Sequence, residues 1–150
     1  VLSFGSALDP HDFPEVTNKV IEATKRLGLR LLVSSPRMVE IPTDSHVECY
    51  SYLPMRHLLP RAKVYIHHGG ANSFSEGLSI GVPQILVPLT TDQPIQGEIL
   101  KQLNCGLTLD PSGVSVEAFV DYIESRINKK EFQDQEPSLE LILPSSASLH

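Results

Sequence analysis

Short apolar runs alternate along the chain with longer segments in which apolar residues recur every three or four positions. The apolar runs predict six strands, at about residues 1–4, 29–33, 47–52, 64–66, 84–87 and 107–109. The longer segments predict helices at about 13–27, 72–80, 94–103 and 116–127, with only a short helical turn at about 55–59. This alternation predicts an α/β fold, a Rossmann-like doubly wound parallel six-stranded sheet with helices on both faces.

Polar residues and glycines mark the ends of these helices. Asp12 can cap the first helix, which has Pro14 in its first turn, and Gly28 suits its C-terminal end. Gly81 is placed to end the second long helix in the same way. Ser115 can cap the last helix through its hydroxyl oxygen.

The order of the strands predicts where a ligand binds. In the dinucleotide-fold order 3-2-1-4-5-6, strands one and four are neighbours at the switch point, and ligands bind outside their carboxyl ends. The loops that follow these two strands both contain glycine, as Gly5-Ser6 and Gly69-Gly70. We therefore expect the two loops to converge on one site.

The composition is that of a single globular domain. The chain has 150 residues, 41% hydrophobic and 20% charged, and a chain of this size buries about 70% of the surface that it exposes when unfolded. Its 12 Lys and Arg against 18 Asp and Glu give a net charge of −6, which argues against nucleic-acid binding because a polyanion requires clustered cations. No apolar run approaches the ~18 residues of a membrane span.

The cysteines indicate the cellular location of the protein, and the first residues indicate whether the chain is part of a longer one. Cys49 and Cys105 form neither a disulfide framework nor a metal-ligand pattern, and no N-x-[ST] sequon occurs, so we expect a cytoplasmic location. The chain begins inside a core strand, without an initiator Met or a signal peptide. We therefore expect it to be part of a longer protein.

The segment from His68 to Glu76 has the chemistry of an anion site. Its glycines let the backbone approach a ligand, and the helix that follows offers unpaired N–H groups and a positive dipole end. Ser73 adds a hydroxyl, Asn72 an amide, and His68 a donor that gains charge when protonated. Together they suit a diphosphate. Glu76 is itself anionic and is better placed to accept hydrogen bonds from two ribose hydroxyls.

Each of these features also has a simpler interpretation. Gly69-Gly70 can be merely a tight turn and Ser73 a helix cap, and the residues alone leave both interpretations open. Asp92-Gln93 can hold a sugar, because a carboxylate accepts from hydroxyls and a carboxamide donates to and accepts from them. It can equally shape the loop before Pro94.

The order and spacing of these motifs resemble one family. The chain resembles the nucleotide-sugar glycosyltransferases of the UDP-glycosyltransferase superfamily (family 1, the two-domain GT-B type) in their C-terminal donor-binding half. The resemblance covers about residues 1–128 and rests on Val1-Leu2-Ser3-Phe4-Gly5-Ser6, Tyr52-Leu53-Pro54, His68-Gly69-Gly70-Ala71-Asn72-Ser73, Glu76, Gly81-Val82-Pro83, Pro88, Asp92-Gln93-Pro94 and Gly106. The pattern is closer to bacterial or fungal sterol, macrolide and lipid glycosyltransferases than to plant members.

The resemblance implies roles for residues around the nucleoside. Tyr52 stands where the family stacks an aromatic ring on the uracil, and the backbone of Leu53 would read the edge of the base. Glu76 would hold the ribose. Ser6 would lie beside the diphosphate or the donor sugar.

The resemblance also implies how the diphosphate and the sugar are held. His68, Gly70, Asn72 and Ser73 would bind the diphosphate, and Asp92-Gln93 the hydroxyls of the donor sugar. It implies no metal ion and no other cofactor, and the sequence contains no Asp-x-Asp pair. The helix end and His68 would stabilise the charge of the leaving group.

The implied function is donor binding in an inverting UDP-sugar-dependent hexosyltransferase. Residues 1–128 would form the donor-binding domain and 129–150 a C-terminal tail. The catalytic base and the acceptor site would come from an N-terminal acceptor domain absent from this chain, which would therefore be inactive alone. No residue here matches the family's catalytic His and Asp.

Two alternatives stay open. The chain can be a donor-binding subunit that works only with a separate membrane-bound partner, for which the apolar segment Leu139 to Leu143 is a candidate docking surface. It can also be a non-catalytic relic. Departures from the family pattern at Met55 and at Gln96-Gly97 point weakly to the relic, whereas four intact residues argue against it: His68, Glu76, Asp92 and Gln93.

Overall fold

The computed structural model describes residues 1–4, 9–37, 44–89 and 94–131, and within them six strands form one all-parallel sheet. In chain order the strands are β1 (Leu2–Ser3), β2 (Leu31–Ser34), β3 (Val47–Tyr50), β4 (Tyr65–His67), β5 (Gln84–Leu86) and β6 (Gly106–Thr108). Their order across the sheet is β3-β2-β1-β4-β5-β6. The predicted fold class and strand order are therefore confirmed.

Helices cover both faces of this sheet. They are α1 (Pro14–Leu27), α2 (Met55–Leu58), α3 (Ala71–Ile80), α4 (Pro94–Gln102) and α5 (Val116–Glu131). On one face, α1 and α5 pack together and contribute Val20, Phe119 and Ile123 to the main core. On the other face, α3 and α4 bury Phe74 and Leu100 against β5.

Of the two caps predicted for α1, the structure confirms the C-terminal one and contradicts the N-terminal one. Gly28 ends the helix in the left-handed conformation (φ 70°) as expected, and the Leu29 N–H donates to the carbonyl of Thr24 in this cap. Because Leu29 closes the helix, β2 starts two residues later than predicted. The predicted Asp12 cap is wrong. Asp12 ends a 3-10 turn and its carboxylate accepts a hydrogen bond from Arg37 (2.6 Å).

The last helix begins as predicted and ends later. The Ser115 hydroxyl oxygen accepts a hydrogen bond from the Ala118 N–H (3.2 Å), which is the expected cap. The helix α5 then continues to Glu131, past the helix end predicted at about residue 127. The apolar segment Leu139 to Leu143 lies outside the described residues.

Candidate functional site

The strands β1 and β4 lie side by side in parallel register. Leu2 pairs with Ile66, and Ser3 pairs with His67. The chain therefore leaves both strands at the same edge of the sheet, where ligands of such folds bind. This adjacency was predicted from the assumed strand order and is confirmed. The Gly5-Ser6 loop, including the candidate residue Ser6, lies outside the described residues.

The turn after β4 places the start of α3 at this edge. Gly69 has φ 96°, in the region that favours glycine, and Gly70 is the N-cap of α3 with φ −62° and ψ 147°. No side chain among the described residues caps α3. Ser73 lies inside the first turn of the helix, so the simpler interpretation of Ser73 as its cap is wrong. The backbone N–H groups of this first turn form the positive end of the helix.

His68 stands between the strand and the helix. Its ring is half-buried against Gly70, and its buried Nδ1 has no hydrogen-bond partner among the described residues. Burial lowers the pKa of His68 below the ordinary value of 6.5, so the ring is neutral at neutral pH. An unpartnered imidazole nitrogen beside a helix N-terminus is chemically suited to an anionic ligand.

A buried polar pair that sequence reasoning missed lies beneath this turn. His67 and Gln84 are both fully buried, and the His67 Nε2 and Gln84 Oε1 atoms are 2.6 Å apart. The Gly69 N–H donates to His67 Nδ1 (3.0 Å), and Gln84 Nε2 donates to the carbonyl of Phe74 (3.5 Å). Burial lowers the pKa of His67 to about 4. The available signal was a glutamine in an otherwise apolar strand, since a buried polar side chain requires a partner.

Tyr65 is another buried residue beneath the start of α3 that sequence reasoning missed. Together with His67 and Gln84 it forms the floor of the site. It is buried, and its ring lies 4.7 Å from that of His67 between centroids. Burial raises the pKa of Tyr65, and the negative charge of Glu76 raises it further, whereas hydrogen bonds with Ser73 and Ser3 lower it. These contacts bring β1, β4 and α3 together. Ser73, a predicted site residue, thus contacts Tyr65 of β4, and the charge of Glu76 acts on the same hydroxyl.

The predicted base-binding residues follow β3 at the same edge of the sheet. Tyr52 is 66% exposed, one of the few large apolar side chains so exposed in the described part of the chain. Leu53 is buried against Leu32 and Leu58, which fixes the backbone beside it. Asn72 is exposed in the first turn of α3. The exposed ring of Tyr52 is therefore available for stacking.

The predicted sugar-binding pair, Asp92-Gln93, lies outside the described residues and stays a prediction. His46, a histidine outside the predicted site, contacts the Thr24 hydroxyl and the Ile21 carbonyl, each at 3.0 Å from Nε2. Across the described stretches, no three His, Cys, Asp or Glu side chains come together as a metal site requires. In the same stretches no helix combines the length and apolarity of a membrane span.

A buried carboxylate between the ends of β1 and β2 was also missed. Asp9 is 2% exposed, and the Ser35 hydroxyl contacts its Oδ1 at 3.1 Å and its Oδ2 at 2.9 Å. The backbone N–H of Arg37 donates to the same Oδ2 (3.1 Å). Asp9 therefore ties the segment after β1 to the segment after β2.

Comparisons with known proteins agree with this architecture. Residues 32–139 match the family model of the erythromycin biosynthesis protein CIII-like C-terminal domain. Glycosyltransferase GtfC of Amycolatopsis orientalis is 32% identical over 111 residues, which are 73% of this chain and 27% of that protein. The 10-deoxymethynolide desosaminyltransferase of Streptomyces venezuelae is 26% identical over 107 residues, 69% of this chain and 25% of that protein. The chain thus spans about a quarter of the length of these relatives.

Solved structures show the same fold. The glycotransferase of kitacinnamycin matches with a TM-score of 0.72 and 25% identity, over 83% of this chain and 33% of that one. The spinosyn rhamnosyltransferase SpnG, complexed with thymidine diphosphate, matches with a TM-score of 0.66 and 20% identity, over 85% of this chain and 36% of that one. The predicted resemblance to the C-terminal half of GT-B glycosyltransferases is confirmed.

Proposed function

The chain belongs to the family of erythromycin biosynthesis protein CIII-like C-terminal domains, and on that premise we propose that it binds the nucleotide-sugar donor of a glycosyltransferase. The observation that carries the proposal is the start of α3, which no side chain of the described part of the chain caps, beside the carboxyl end of β4 at the switch point of the sheet. Its N–H groups and His68 would hold the diphosphate, with Gly70, Asn72 and Ser73. Asp92-Gln93 and Ser6 would hold the donor sugar and the adjoining phosphate.

The nucleoside would lie along the sheet edge between Tyr52 and α3. The strands β3 and β4 are three spacings apart in the sheet order, which is ~14 Å at about 4.8 Å per spacing. An extended nucleoside diphosphate can bridge this span, with the base stacked on Tyr52 and the backbone of Leu53 at its edge. Glu76, half-buried one turn into α3, would accept hydrogen bonds from the ribose.

Uridine diphosphate is the nucleotide that we propose. Glu76 can accept hydrogen bonds from both hydroxyls of a ribose. A thymidine nucleotide lacks the 2′-hydroxyl and therefore donates one hydrogen bond fewer to Glu76. Two proteins of similar structure, SpnG and the glycosyltransferase VinC, were solved in complex with thymidine diphosphate. Thymidine diphosphate is therefore the necessary competitor in any binding test.

The reaction that we propose is inverting hexosyl transfer. An acceptor hydroxyl attacks the anomeric carbon from the face opposite the leaving group, and the C–O bond to the nucleoside diphosphate breaks. The released diphosphate keeps the bonding electrons, and the α3 N-terminus with His68 stabilises its charge. The base that takes the hydroxyl proton would come from an N-terminal acceptor domain. The proposal requires no metal ion, and a cytoplasmic location is part of it.

Calorimetric titration of the chain with UDP, UDP-glucose and thymidine diphosphate tests the donor site. We expect UDP to bind, His68→Ala to weaken it about tenfold, and Glu76→Ala to weaken UDP more than thymidine diphosphate. Glu124→Ala on the exposed face of α5 is the matched control for charge and should leave binding unchanged. A chain that binds none of the three nucleotides at millimolar concentration would contradict the proposal, as would unchanged affinities in both site variants. Binding that persists with a chelator present would support its independence of metal.

A further inference from the structure

We propose that His67 is a positioning residue, whose ring holds the diphosphate-binding turn through Gly69 and is itself held in one tautomer by Gln84. The side chain of His67 lies below the turn, fully buried, and does not reach the surface on which a nucleotide would lie. Its effect on binding rests on the proposed function, but its effect on the turn does not.

The hydrogen bonds assign each ring nitrogen of His67 one role. Nδ1 accepts from the Gly69 N–H (3.0 Å), so it carries no proton. In a neutral ring the proton is then on Nε2, which donates to Gln84 Oε1 (2.6 Å). The other tautomer would direct two N–H groups at each other at Gly69 and leave Nε2 unable to donate to Gln84. The network is complete in one arrangement only.

Gln84 is fixed at both ends of its carboxamide. Its oxygen accepts from His67, so its NH₂ group faces the other way and donates to the carbonyl of Phe74 in α3 (3.5 Å). The carboxamide also packs on Gly77, where a Cβ atom would lie 2.5 Å from Cδ of Gln84. The glutamine therefore contacts β4 on one side and α3 on the other.

These bonds tie both flanks of the anion-binding turn to the sheet. The turn enters at Gly69, whose positive φ of 96° aims its N–H at His67. It leaves into α3, whose Phe74 carbonyl accepts from Gln84. Gly70 lies between these two anchor points, and His68 directly precedes the first of them. If Nδ1 cannot accept, the Gly69 N–H becomes an unpaired buried donor, and the turn must move to satisfy it.

Two substitutions of His67 distinguish the acceptor role of Nδ1 from the donor role of Nε2. Asn places its carboxamide oxygen near the position of Nδ1, so His67→Asn keeps an acceptor for Gly69 and loses the donor to Gln84. His67→Gln places its NH₂ group near Nε2 and keeps the donor but loses the acceptor. We expect the Gly69 amide to stay protected from hydrogen exchange in His67→Asn and to exchange at least about tenfold faster in His67→Gln. UDP affinity should stay within about threefold of wild type in His67→Asn and fall about tenfold in His67→Gln.

The unliganded wild-type chain supplies a measurement that does not depend on how the variants fold. Nitrogen-15 spectra of His67 should show a neutral ring with its proton on Nε2. A proton on Nδ1 would overturn the proposal, as would equal Gly69 exchange in the two variants or greater loss in His67→Asn. Gln84→Met, which removes the carboxamide at similar volume, leaves the Nε2 proton without an acceptor, so the ring should shift toward the Nδ1-protonated tautomer and release the Gly69 N–H, which then exchanges faster. An unchanged tautomer together with an unchanged Gly69 exchange rate would overturn the role of Gln84. If wild type binds no nucleotide, the proposed function fails, while the exchange and the tautomer still decide whether His67 positions the turn.

Discussion

The ring of His68 lies against Gly70, so close that a Cβ atom on Gly70 would come within 2.9 Å of Cε1 and 3.0 Å of Nε2. The backbone of Gly70 itself (φ −62°, ψ 147°) is open to any residue. A larger residue at this position is therefore opposed by the present place of the His68 ring and not by its own backbone conformation. The contact links the cap of α3 to the side chain that is proposed to bind the diphosphate.

Substituting Gly70→Ala should displace His68 and weaken nucleotide binding. The added methyl group forces the ring out of its place, and we expect about a tenfold loss of UDP affinity by calorimetry. Stability should fall by no more than about 1 kcal/mol, because Ala is a poorer N-cap than Gly. Gly113→Ala is the control, since nothing lies within 4 Å of a Cβ there. Equal affinities for Gly70→Ala and wild type would show that the ring is free to move without consequence.

Nucleotide binding should become tighter as the pH falls. Burial lowers the pKa of free His68, and a bound diphosphate stabilises the imidazolium and raises that pKa. Affinity then rises as the pH drops through the raised pKa and levels off below the pKa of the free ring. Titrations in two buffers of different ionisation enthalpy, between about pH 6 and 8, should detect proton uptake. His68→Gln removes this uptake while leaving the ionisation of the nucleotide itself, so identical pH profiles for the variant and wild type would contradict the prediction.

The folded state should lose stability in mild acid because of His67. Its pKa is about 4 in the folded chain against an ordinary value of 6.5, so the unfolded chain takes up the proton first. The neutral ring contributes about 3 kcal/mol to the free energy of unfolding. This contribution is complete above pH 6.5 and is lost as the pH falls to about 4. The His67 contribution is the difference in pH dependence between the unfolding free energies of wild type and His67→Gln, measured by urea unfolding across this pH range. Parallel pH profiles for the two proteins would count against a buried neutral imidazole.

The strand order and the helix at the switch point could be predicted because their signals are local. Gly69 and Gly81, both with positive φ, mark the two ends of α3 through backbone conformation, and the alternation of strands and helices favours one parallel topology. Asp12 shows the limit of such signals. A capping residue two positions before Pro14 was reasonable, but its carboxylate contacts Arg37, which is 25 residues away in sequence.

The floor of the site could not be predicted for the same reason. Tyr65 and His67 lie under α3 because they alternate along one face of β4, and Gln84 reaches His67 only because β5 pairs with β4 in register. A strand-end histidine has no local feature that identifies its partner. Gln84 was a detectable anomaly in an apolar strand, yet its partner depends on a register that a single sequence does not specify.

Two helical glycines offer a test of packing beneath the site. A Cβ atom at Gly77 would lie 2.5 Å from Cδ of the buried Gln84, whereas one at Gly97 would meet mainly the hydroxyl of the exposed Thr108. We expect Gly77→Ala to lower the unfolding free energy by about 1–3 kcal/mol through overpacking. Gly97→Ala should be neutral or stabilising by up to about 1 kcal/mol, because alanine favours a helix and Thr108 can rotate away. Denaturant unfolding measures both variants. A smaller loss of unfolding free energy in Gly77→Ala than in Gly97→Ala would contradict this account.

The buried carboxylate of Asp9 can be compared with an exposed copy of the same contact. The Ser35 hydroxyl contacts Asp9 at the buried edge between β1 and β2, and the Ser112 hydroxyl donates to Asp110 (2.9 Å) in an exposed turn. Removing Ser35 takes a hydrogen bond from a buried carboxylate that water cannot replace, so Ser35→Ala should cost about 1–3 kcal/mol in unfolding free energy. Ser112→Ala should change it by less than about 0.5 kcal/mol, because solvent takes the place of the lost hydroxyl. Equal effects in urea titrations of the two variants would mean that water reaches Asp9 and that the segments after β1 and β2 are held together by other contacts.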